Sequence, residues 1–357
     1  MTQGARLKGL VLSGGTGSRL RPFTYSTAKQ LLPLANKPVI FYVIESLVQA
    51  GIREIGVVVG GAAEQIQGAL GDGSSFGAEL TYIYQAAPRG LAHAVQTAEP
   101  FLGEDPFVVF LGDNLLRGGI AGHVEAFMAS TAEAQILVKR VANPGEFGIA
   151  DLDGNGHVRR LVEKPLQPPS DLAILGVYML RRRFFEAAQT IEPSRRGELE
   201  ITDAMQAMID SGIEVCARVV SEDWIDTGSP ADLLLANRML LGEERVDYAR
   251  HESSSPDGLV QVAPGARLSG SLVTGPAIIG CNAEIIDSRV GPDTSIGDCC
   301  RIRDARVEGS IVMDGGVIEG VALRDCIVGK NAVIKAATSG QVLEGLLVGD
   351  DGRVELR

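Results

Sequence analysis

The chain has 357 residues, which is long for a single compact core and predicts one large domain with a smaller module. Its composition, 45% hydrophobic and 22% charged residues, is that of a globular protein, and no apolar run approaches the roughly 18 residues that span a bilayer. The net charge of −12 argues against a nucleic-acid partner, because binding a polyanion requires a basic surface.

The N-terminal residues and the cysteines both favour a cytoplasmic location without a membrane partner. The apolar core near the N-terminus is too short for a signal peptide, and no small-residue cleavage site follows it. The five cysteines are an odd number and form no CxxC pair. We therefore expect free thiols that serve in packing rather than disulfides or a zinc site.

Short apolar runs alternate with amphipathic stretches up to about residue 112. The predicted strands lie at 7–13, 54–60, 80–85 and 106–113, and the predicted helices at 39–51 and 90–98. This alternation predicts an α/β fold with a Rossmann-like, mostly parallel sheet and helices on both faces. Ligands of such sheets bind beyond the carboxyl ends of the strands, where Gly14 and the Leu-Gly-Asp-Asn sequence at 111–114 lie.

The pattern changes between about 134 and 241. Segments 134–141 and 147–165 alternate as partly antiparallel strands, with Asp153-Gly154-Asn155-Gly156 as a hairpin turn, so the predicted sheet is mixed. Further helices are predicted at 181–191, 199–211 and 229–241. The polar segment 242–257 is predicted to be a linker, which gives domains at 1–241 and 258–357.

Residues 258–357 contain an internal repeat. Apolar residues recur at spacings of 6, 5 and 6, and the triplet returns every 17 residues. Direct alignment places Leu268, Ile285 and Ile302 in one column, with Leu323 returning to it after four extra residues. This spacing favours a left-handed parallel β-helix over an ordinary β-sandwich. Because its faces and open end need covering, we expect the β-helix to support a homo-oligomer.

The segment after the first predicted strand has the features of a phosphate cradle. Gly14, Gly15 and Gly17 allow backbone N–H groups to approach a phosphate closely. It is not a Walker loop, and Leu20 replaces the third glycine of a dinucleotide fingerprint. Arg19 and Lys29 supply two cations that a purely structural turn does not need.

These motifs are similar to those of the sugar-1-phosphate nucleotidylyltransferases, which join a nucleoside triphosphate to a sugar phosphate and release pyrophosphate. Lys-Gln-Leu-Leu-Pro at 29–33 narrows the resemblance to the glucose-1-phosphate thymidylyltransferases, and the β-helix makes the chain similar to their long form. Other matching segments lie at 70–73, 90–95, 111–114, 147–148, 163–165, 196–203 and 226–228.

The resemblance implies how the nucleotide is bound. The glycines at 14, 15 and 17 would hold the triphosphate, while Arg19 and Lys29 stabilise charge on the reacting phosphorus and the leaving pyrophosphate. Nucleoside contacts are implied for Gln30, Gln85 and Gly90. The attacking phosphate oxygen is already an anion, so the reaction needs alignment and charge neutralisation rather than a general base.

The resemblance also implies a metal site and a sugar site. Asp113 and Asp226 match the two family carboxylates that hold Mg²⁺, which also takes phosphate and water oxygens. The sugar phosphate is expected to meet Lys164, which joins the catalytic set, and Arg196. The residues expected around its hydroxyls are Asn114, Gly148, Glu163 and Tyr178.

The chain departs from the family pattern at three positions. Phe147 stands where many relatives have tyrosine, which leaves the sugar preference open. Arg89 replaces a residue that is often Leu or Asp, and Ile225 one that is often lysine in long forms. We expect Trp224, the only tryptophan, to serve in packing.

The expected reaction joins dTTP and glucose 1-phosphate, with UTP or another hexose 1-phosphate as the alternative substrate. A bifunctional enzyme with an acyltransferase β-helix is a second alternative, although that chemistry usually needs a histidine and none occurs in 258–357. A non-catalytic regulatory relative is a third, but such proteins typically lose the lysine, arginine or aspartate set that this chain retains.

Overall fold

The computed structural model describes residues 6–154, 156–242, 259–337 and 340–357, which form two compact units. The first unit comprises residues up to Gly15 together with Ile40–Asp226, and the second comprises Thr16–Val39 together with Thr227–Arg357. The domain boundaries at 241 and 258 stay predictions, and residues 243–257 of the predicted linker lie outside the described residues. Segment 16–39, which the sequence analysis placed in the first domain, is compact with the C-terminal part of the chain.

The elements that precede residue 243 alternate broadly as predicted. The strands are β1 (Lys8–Leu12), β2 (Pro33–Leu34), β3 (Lys37–Pro38), β4 (Glu54–Val59), β5 (Glu79–Tyr84), β6 (Phe107–Leu111), β7 (Asn114–Leu116), β8 (Ala134–Arg140), β9 (Gly148–Leu152), β10 (Val158–Glu163), β11 (Leu172–Leu180), β12 (Val215–Val219) and β13 (Trp224–Asp226). The helices are α1 (Val39–Gln49), α2 (Ala63–Leu70), α3 (Leu91–Thr97), α4 (Glu99–Leu102), α5 (Ala121–Met128), α6 (Arg183–Ala188), α7 (Ile201–Asp210) and α8 (Pro230–Leu241). Among the described helices, none combines the length and apolarity needed to cross a membrane.

The first unit is built on a nine-stranded mixed sheet, which confirms the predicted α/β fold. Its main path runs β10-β9-β11-β6-β1-β4-β5, and β8 joins β11 to β12. Strand β1 pairs in parallel with β4 and β6, whereas β11 runs antiparallel to β6 and β8. All nine residues of β11 are buried, so this central strand has no polar alternation, and the sequence analysis did not assign it.

The parallel strands bring their carboxyl ends to one edge of the sheet. Backbone hydrogen bonds continue just beyond the strand ends, from Gln85 N to Val59 O and from Gly112 N to Leu12 O, both at 2.9 Å. The glycine-rich turn after β1, the residue after β5 and the residues after β6 therefore share this edge. This is the edge at which sheets of this kind bind ligands.

The predicted hairpin between β9 and β10 is confirmed. The two strands pair antiparallel, and Gly156 N donates to Asp153 O at 3.1 Å across the turn. Asn155 of the predicted turn lies outside the described residues. The hairpin brings Gly148, the first residue of β9, opposite Glu163, the last of β10.

The C-terminal part of the second unit consists of three parallel sheets, an arrangement consistent with the predicted left-handed parallel β-helix. The first face contains Val260–Val262, Ala277–Ile279, Thr294–Ile296, Ile311–Val312, Ile327–Val328 and Leu347–Val348. The second face contains Arg267–Ser269, Glu284–Ile286, Arg301–Arg303, Val317–Glu319, Val333–Ala336 and Arg353–Leu356. The third face contains Leu272–Val273, Arg289–Val290, Arg306–Glu308, Val321–Arg324 and Gln341–Glu344.

The predicted column is right for the first coils and wrong for Leu323. Leu268, Ile285 and Ile302 stack in register, at steps of 17 residues. Ile302 then pairs with Ile318, only 16 residues on, and Leu323 stacks on Val307 on the next face. The coil is one residue shorter here, whereas the placement of Leu323 in this column assumed four extra residues.

The five cysteines are free, as predicted. Cys300 and Cys326 lie in the β-helix core, where burial raises the pKa of both thiols. Cys299 is exposed because it occupies an outward corner of a coil with φ +56°. The packing role predicted for the cysteines therefore fits the two core thiols and is wrong for Cys299.

The inward position of the stacked aliphatic residues leads to a prediction about stability. Ile302 is 1% exposed. Its replacement by alanine should lower the free energy of unfolding by about 2–5 kcal/mol, because a cavity remains in a closely packed coil. Its exposed neighbour Arg303 is the control, and Arg303→Ala should change stability by about 0.5 kcal/mol or less. Denaturant unfolding measures both, and equal effects would contradict the assignment of inward and outward positions.

Candidate active site

A constrained glutamine lies beside the glycine-rich turn. Gln85 follows β5 and is 7% exposed, and its Nε2 lies 2.9 Å from His93 Nδ1. A Cβ atom on Gly14 would lie 3.2 Å from Gln85 Oε1, so the turn and this amide are in close contact. Burial, and then the charge of Arg89, lower the pKa of His93, which favours a neutral ring next to the amide. The orientation of the Gln85 amide is thus fixed, as a group that recognises a ligand by hydrogen bonds requires.

Gly90 permits a close approach between two backbone segments. Its φ is +104°, and a Cβ atom there would lie 2.4 Å from Leu199 O. Backbone hydrogen bonds join the two segments, from Leu199 N to Arg89 O at 2.7 Å and from Ala92 N to Leu199 O at 3.0 Å. A side chain at position 90 would force these segments apart, so the structure explains this glycine by backbone packing.

The two predicted metal-binding aspartates lie on neighbouring positions of one small ladder. Strands β7 and β13 pair antiparallel, with Asp226 opposite Asn114, the residue after Asp113. Asn114 is 2% exposed, and its Nδ2 donates to Asp113 Oδ1 at 3.1 Å. Opposed residues in such a ladder bring their side chains close together. The structure therefore places Asp226 opposite the residue that follows Asp113, and the convergence of the two carboxylates on one cation stays a prediction.

Trp224 has the packing role that the sequence analysis expected, and a polar role as well. Its ring packs edge-on against Phe147, with centroids 5.4 Å apart. Its Nε1 donates to Asn114 Oδ1 at 2.8 Å. Gly176 completes this arrangement, since a Cβ atom there would lie 2.7 Å from Asn114 Oδ1. Trp224 and Gly176 thus orient the amide that holds Asp113, and the sequence analysis missed Gly176.

The donor set of Asp113 and Asp226 fits a hard divalent cation. Magnesium is usually held by one or two carboxylates and takes its remaining oxygen ligands from substrate phosphates and water. In the described ranges, no group of three or more His, Cys, Asp or Glu side chains is arranged to hold a metal. Two aspartates therefore suit a cation that takes its remaining ligands from substrate phosphates and water.

A second polar cluster surrounds Glu163 at the end of β10. Thr202 Oγ1 donates to Glu163 Oε2, and Arg196 Nη1 donates to Glu163 Oε1, both at 3.2 Å. A Cβ atom on Gly148 would lie 2.8 Å from Thr202 Cγ2 and 3.1 Å from Glu163 Oε2. Burial raises the pKa of Glu163, against the lowering effects of Lys164, Thr202 and Arg196. A half-buried carboxylate can accept hydrogen bonds from a polyhydroxylated ligand.

Arg196 lies among three carboxylates. It forms ion pairs with Glu163 and Glu198 at 3.2 Å and with Glu200 at 3.6 Å. Glu200 is 3% exposed and accepts a hydrogen bond from Ser194 Oγ at 2.8 Å. The sequence analysis named only Arg196 in this segment and missed Glu200 and Thr202. The matching segment 196–203, which contains both, was the available signal.

Tyr178 is a buried phenol whose pKa responds to carboxylates of both groups. Its side chain is 4% exposed. Burial, followed by the charges of Glu163, Glu200 and Asp226, raises the pKa of the phenol far above its ordinary value. Tyr178 therefore stays a neutral hydroxyl within electrostatic reach of both groups of carboxylates.

Lys164 occupies an uncommon backbone conformation. Its φ is +39°, and its N donates to Phe147 O at 3.0 Å at the end of the hairpin. Left-handed backbone at a non-glycine residue costs of order 1 kcal/mol and occurs preferentially at functional sites. The positive charge of Lys164 favours the ionised form of Glu163 and so opposes the rise in the pKa of Glu163 that burial causes. Lys164 is thus the cation that adjoins the Glu163 cluster from the hairpin side.

Gly15 is the last residue of the first unit before segment 16–39, and the remaining predicted nucleotide residues lie in that segment, which belongs to the second unit. Gly17 has φ +62°, and its carbonyl accepts a hydrogen bond from Thr24 Oγ1 at 2.7 Å. Arg19 is exposed in the turn Ser18–Leu20, while Lys29 and the buried Gln30 lie in the turn Lys29–Leu31. The convergence of Arg19 and Lys29 with residues of the first unit stays a prediction.

The mixed sheet of the first unit is the fold of a sugar nucleotidyltransferase. The nucleotidyl transferase family model matches residues 8–243, more than half of the chain, and the chain belongs to this family. Enzymes of this family generally depend on a divalent metal ion.

Individual relatives show which nucleotidyltransferases this chain is similar to. A glucose-1-phosphate thymidylyltransferase of Streptomyces antibioticus is 44% identical over 355 residues, which cover 98% of this chain and 100% of the relative. The low-salt glycan biosynthesis nucleotidyltransferase Agl11 of Haloferax volcanii is 42% identical over 358 residues, with 98% and 100% coverage. A solved Bacillus anthracis structure, assigned as a glucose-1-phosphate thymidylyltransferase in complex with sucrose, has a TM-score of 0.63 and 34% identity, and covers 68% of this chain and 98% of its own.

Proposed function

We propose that the chain is a glucose-1-phosphate thymidylyltransferase, which joins dTTP to glucose 1-phosphate, forms dTDP-glucose and releases pyrophosphate. The observation that carries this proposal is the 44% identity to the Streptomyces antibioticus thymidylyltransferase over its whole length, β-helix region included. The aspartate pair and the polar Glu163 cluster support it, since the reaction needs both a cation site and a hexose site. An in-line displacement at the α-phosphorus requires mainly positioning and charge neutralisation.

In this proposal the glycine-rich turn and segment 16–39 bind the triphosphate. Backbone N–H groups of Gly14, Gly15 and Gly17 contact phosphate oxygens, and Arg19 and Lys29 neutralise the charge that develops on the leaving pyrophosphate. The nucleoside meets two residues with side-chain amides and one glycine. These are Gln30, Gln85 and Gly90.

Asp113 and Asp226 are the proposed Mg²⁺ ligands. The ion, when bound with the triphosphate, neutralises phosphate charge and holds its oxygens in place. The chain's own contribution includes the orientation of the Asp113 carboxylate. Asn114 and Trp224 fix it through the hydrogen bonds from Asn114 Nδ2 to Asp113 and from Trp224 Nε1 to Asn114.

Lys164 and Arg196 are the proposed contacts of the sugar phosphate. Because Arg196 already faces three carboxylates, we assign the larger share of the phosphate charge to Lys164. Glu163 then accepts from the sugar hydroxyls, and its hydrogen bond from Thr202 keeps one carboxylate oxygen in place. The other proposed hydroxyl contacts are Asn114, Gly148 and Tyr178.

The alternatives from the sequence analysis are not favoured. The full-length relative from Streptomyces antibioticus is a thymidylyltransferase, and a second one from Streptomyces griseus is also 44% identical. An acyltransferase β-helix lacks support because residues 258–357 contain no histidine. The homo-oligomeric state and the cytoplasmic location stay predictions.

A substrate panel tests the proposed function. With glucose 1-phosphate and Mg²⁺, pyrophosphate release should show its highest kcat/KM with dTTP among dTTP, UTP, GTP, CTP and ATP. Turnover with UTP that equals or exceeds that with dTTP would displace this choice. Glucosamine 1-phosphate with acetyl-CoA is the control for the acyltransferase alternative, and no acetyl-CoA consumption is expected.

A further inference from the structure

Aspartates at one corner of the β-helix make a repeated hydrogen bond between coils. Asp298 Oδ1 accepts from Cys281 N at 2.6 Å, and Asp314 Oδ1 accepts from Asp298 N at 2.9 Å. Asp350 does the same in the C-terminal coil, where its Oδ1 accepts from Lys330 N at 2.8 Å. One oxygen of each aspartate therefore serves the β-helix itself.

The second oxygen of Asp350 holds segment 16–39. Ser26 Oγ donates to Asp350 Oδ2 at 2.6 Å, and Thr27 Oγ1 donates to the same oxygen at 3.3 Å. The first distance is typical of a hydroxyl bound to an ionised carboxylate, the stronger class of hydrogen bond. Gly349 adjoins this contact, because a Cβ atom there would lie 3.0 Å from Pro22 Cβ. A small residue before Asp350 thus allows the segment to approach the coil.

The far end of the segment is attached to an earlier coil. Asn36 Nδ2 donates to Ile296 O at 2.7 Å. The fully buried Asn237 of α8 accepts from Ala35 N at 2.8 Å and from Ser295 Oγ at 2.7 Å with the same Oδ1 atom. Segment 16–39 is therefore attached at two places to the β-helix part of its own unit. Along the chain, Lys29 lies between the two attachments and Arg19 precedes the first.

We propose that Asp350 is a positioning residue for nucleotidyl transfer, which acts by anchoring the segment that carries Arg19 and Lys29 to the last coil of the β-helix. The inference rests on the proposed function for the role of these two cations, and on the hydrogen bonds above for the anchor. A shift of about 1 Å in a catalytic group can cost 10²-fold in rate, so an anchor at Ser26 and Thr27 bears directly on turnover. The β-helix then serves the reaction within a single chain, in addition to the assembly role that the sequence analysis expected.

The experiment compares full-length variants by hydrogen exchange and by steady-state kinetics. In Asp350→Ala, the backbone amides of segment 16–39 should exchange faster, because the segment opens locally. The value of kcat should fall about tenfold and the KM for dTTP should rise, since hydrogen bonds to a charged group contribute at this level. The KM for glucose 1-phosphate should stay unchanged, since its proposed contacts lie in the first unit.

Two further variants separate positioning from coil stability. Asp298→Ala removes the same corner hydrogen bond from an earlier coil and should leave kcat and the exchange of segment 16–39 unchanged. Ser26→Ala with Thr27→Val removes the donors on the segment side and leaves the bond from Lys330 N to Asp350 intact. This pair should reproduce the kinetic effect of Asp350→Ala, and combining all three substitutions should add little, because they break the same contact.

Each outcome decides a separate point. Unchanged exchange of segment 16–39 in both Asp350→Ala and the Ser26/Thr27 variant overturns the anchor. Faster exchange with unchanged kcat and unchanged KM for dTTP overturns the positioning role. If Asp350→Ala does not fold, the Ser26/Thr27 variant gives both readouts. A wild-type chain that is inert with all five nucleotides overturns the proposed function instead, and hydrogen exchange still decides whether the anchor exists.

Discussion

Replacement of Asp113 by asparagine should lower kcat for dTDP-glucose formation by roughly 10²-fold or more, and Asp226→Asn should have a similar effect. Asparagine keeps the shape of the side chain and an oxygen that can still accept from Asn114 Nδ2, so the β7–β13 ladder should survive. What is lost is one negative charge of the pair that we propose binds Mg²⁺. Pyrophosphate release measured over a magnesium titration should show a weaker apparent affinity for the ion in both variants.

The matched control is Asp223, which lies just before β13. Its exposed carboxylate forms an ion pair with Arg117 at 3.2 Å. Asp223→Asn should leave kcat and the magnesium dependence close to those of the wild type, because exposed ion pairs contribute little. Wild-type turnover in both Asp113→Asn and Asp226→Asn would contradict the cation site.

The periodic parts of the fold could be predicted because burial imposes a regular pattern on the sequence. The column formed by Leu268, Ile285 and Ile302 follows from inward aliphatic residues at a fixed spacing. The error at Leu323 arose where one coil is a residue shorter, since coil length is set by corner geometry that hydrophobic spacing does not encode. Strand β11 was missed because periodicity alone does not distinguish a long apolar run in a buried strand from one in a buried helix.

The candidate site could be predicted only where local motifs carry it. Asp113 follows a buried strand and was named from its motif, whereas Gly176 lies inside a buried strand and is explained only by its contact with Asn114. The bond between Ser26 and Asp350 joins residues 324 positions apart. Such contacts depend on how segment 16–39 packs on the β-helix, and no pattern within either segment indicates it.

Removal of the positive charge at Arg19 or at Lys29 should lower kcat/KM by roughly 10²- to 10³-fold, as expected for the loss of a group that stabilises charge in the transition state. The net charge of −12 repels anionic substrates. Cations at the site where two phosphate esters meet must therefore overcome this repulsion, and the loss of one cation should have a large effect. Arg19→Lys should retain part of the activity, because it keeps the charge and loses the planar fork that binds two phosphate oxygens at once. Steady-state kinetics with dTTP measures all three variants.

The control for these variants is Arg21, an exposed cation on the same segment whose guanidinium lies over the Tyr25 ring, 4.9 Å from its centroid. Arg21→Ala should leave kcat/KM nearly unchanged, and a loss equal to that of Arg19→Ala would mean that any cation on the segment serves, against the roles proposed here. A double-mutant cycle then connects the cations to their anchor. If Asp350 acts by placing Arg19, the Asp350→Ala substitution should reduce kcat/KM much less in an Arg19→Ala background than in the wild type, because the group it positions is already gone.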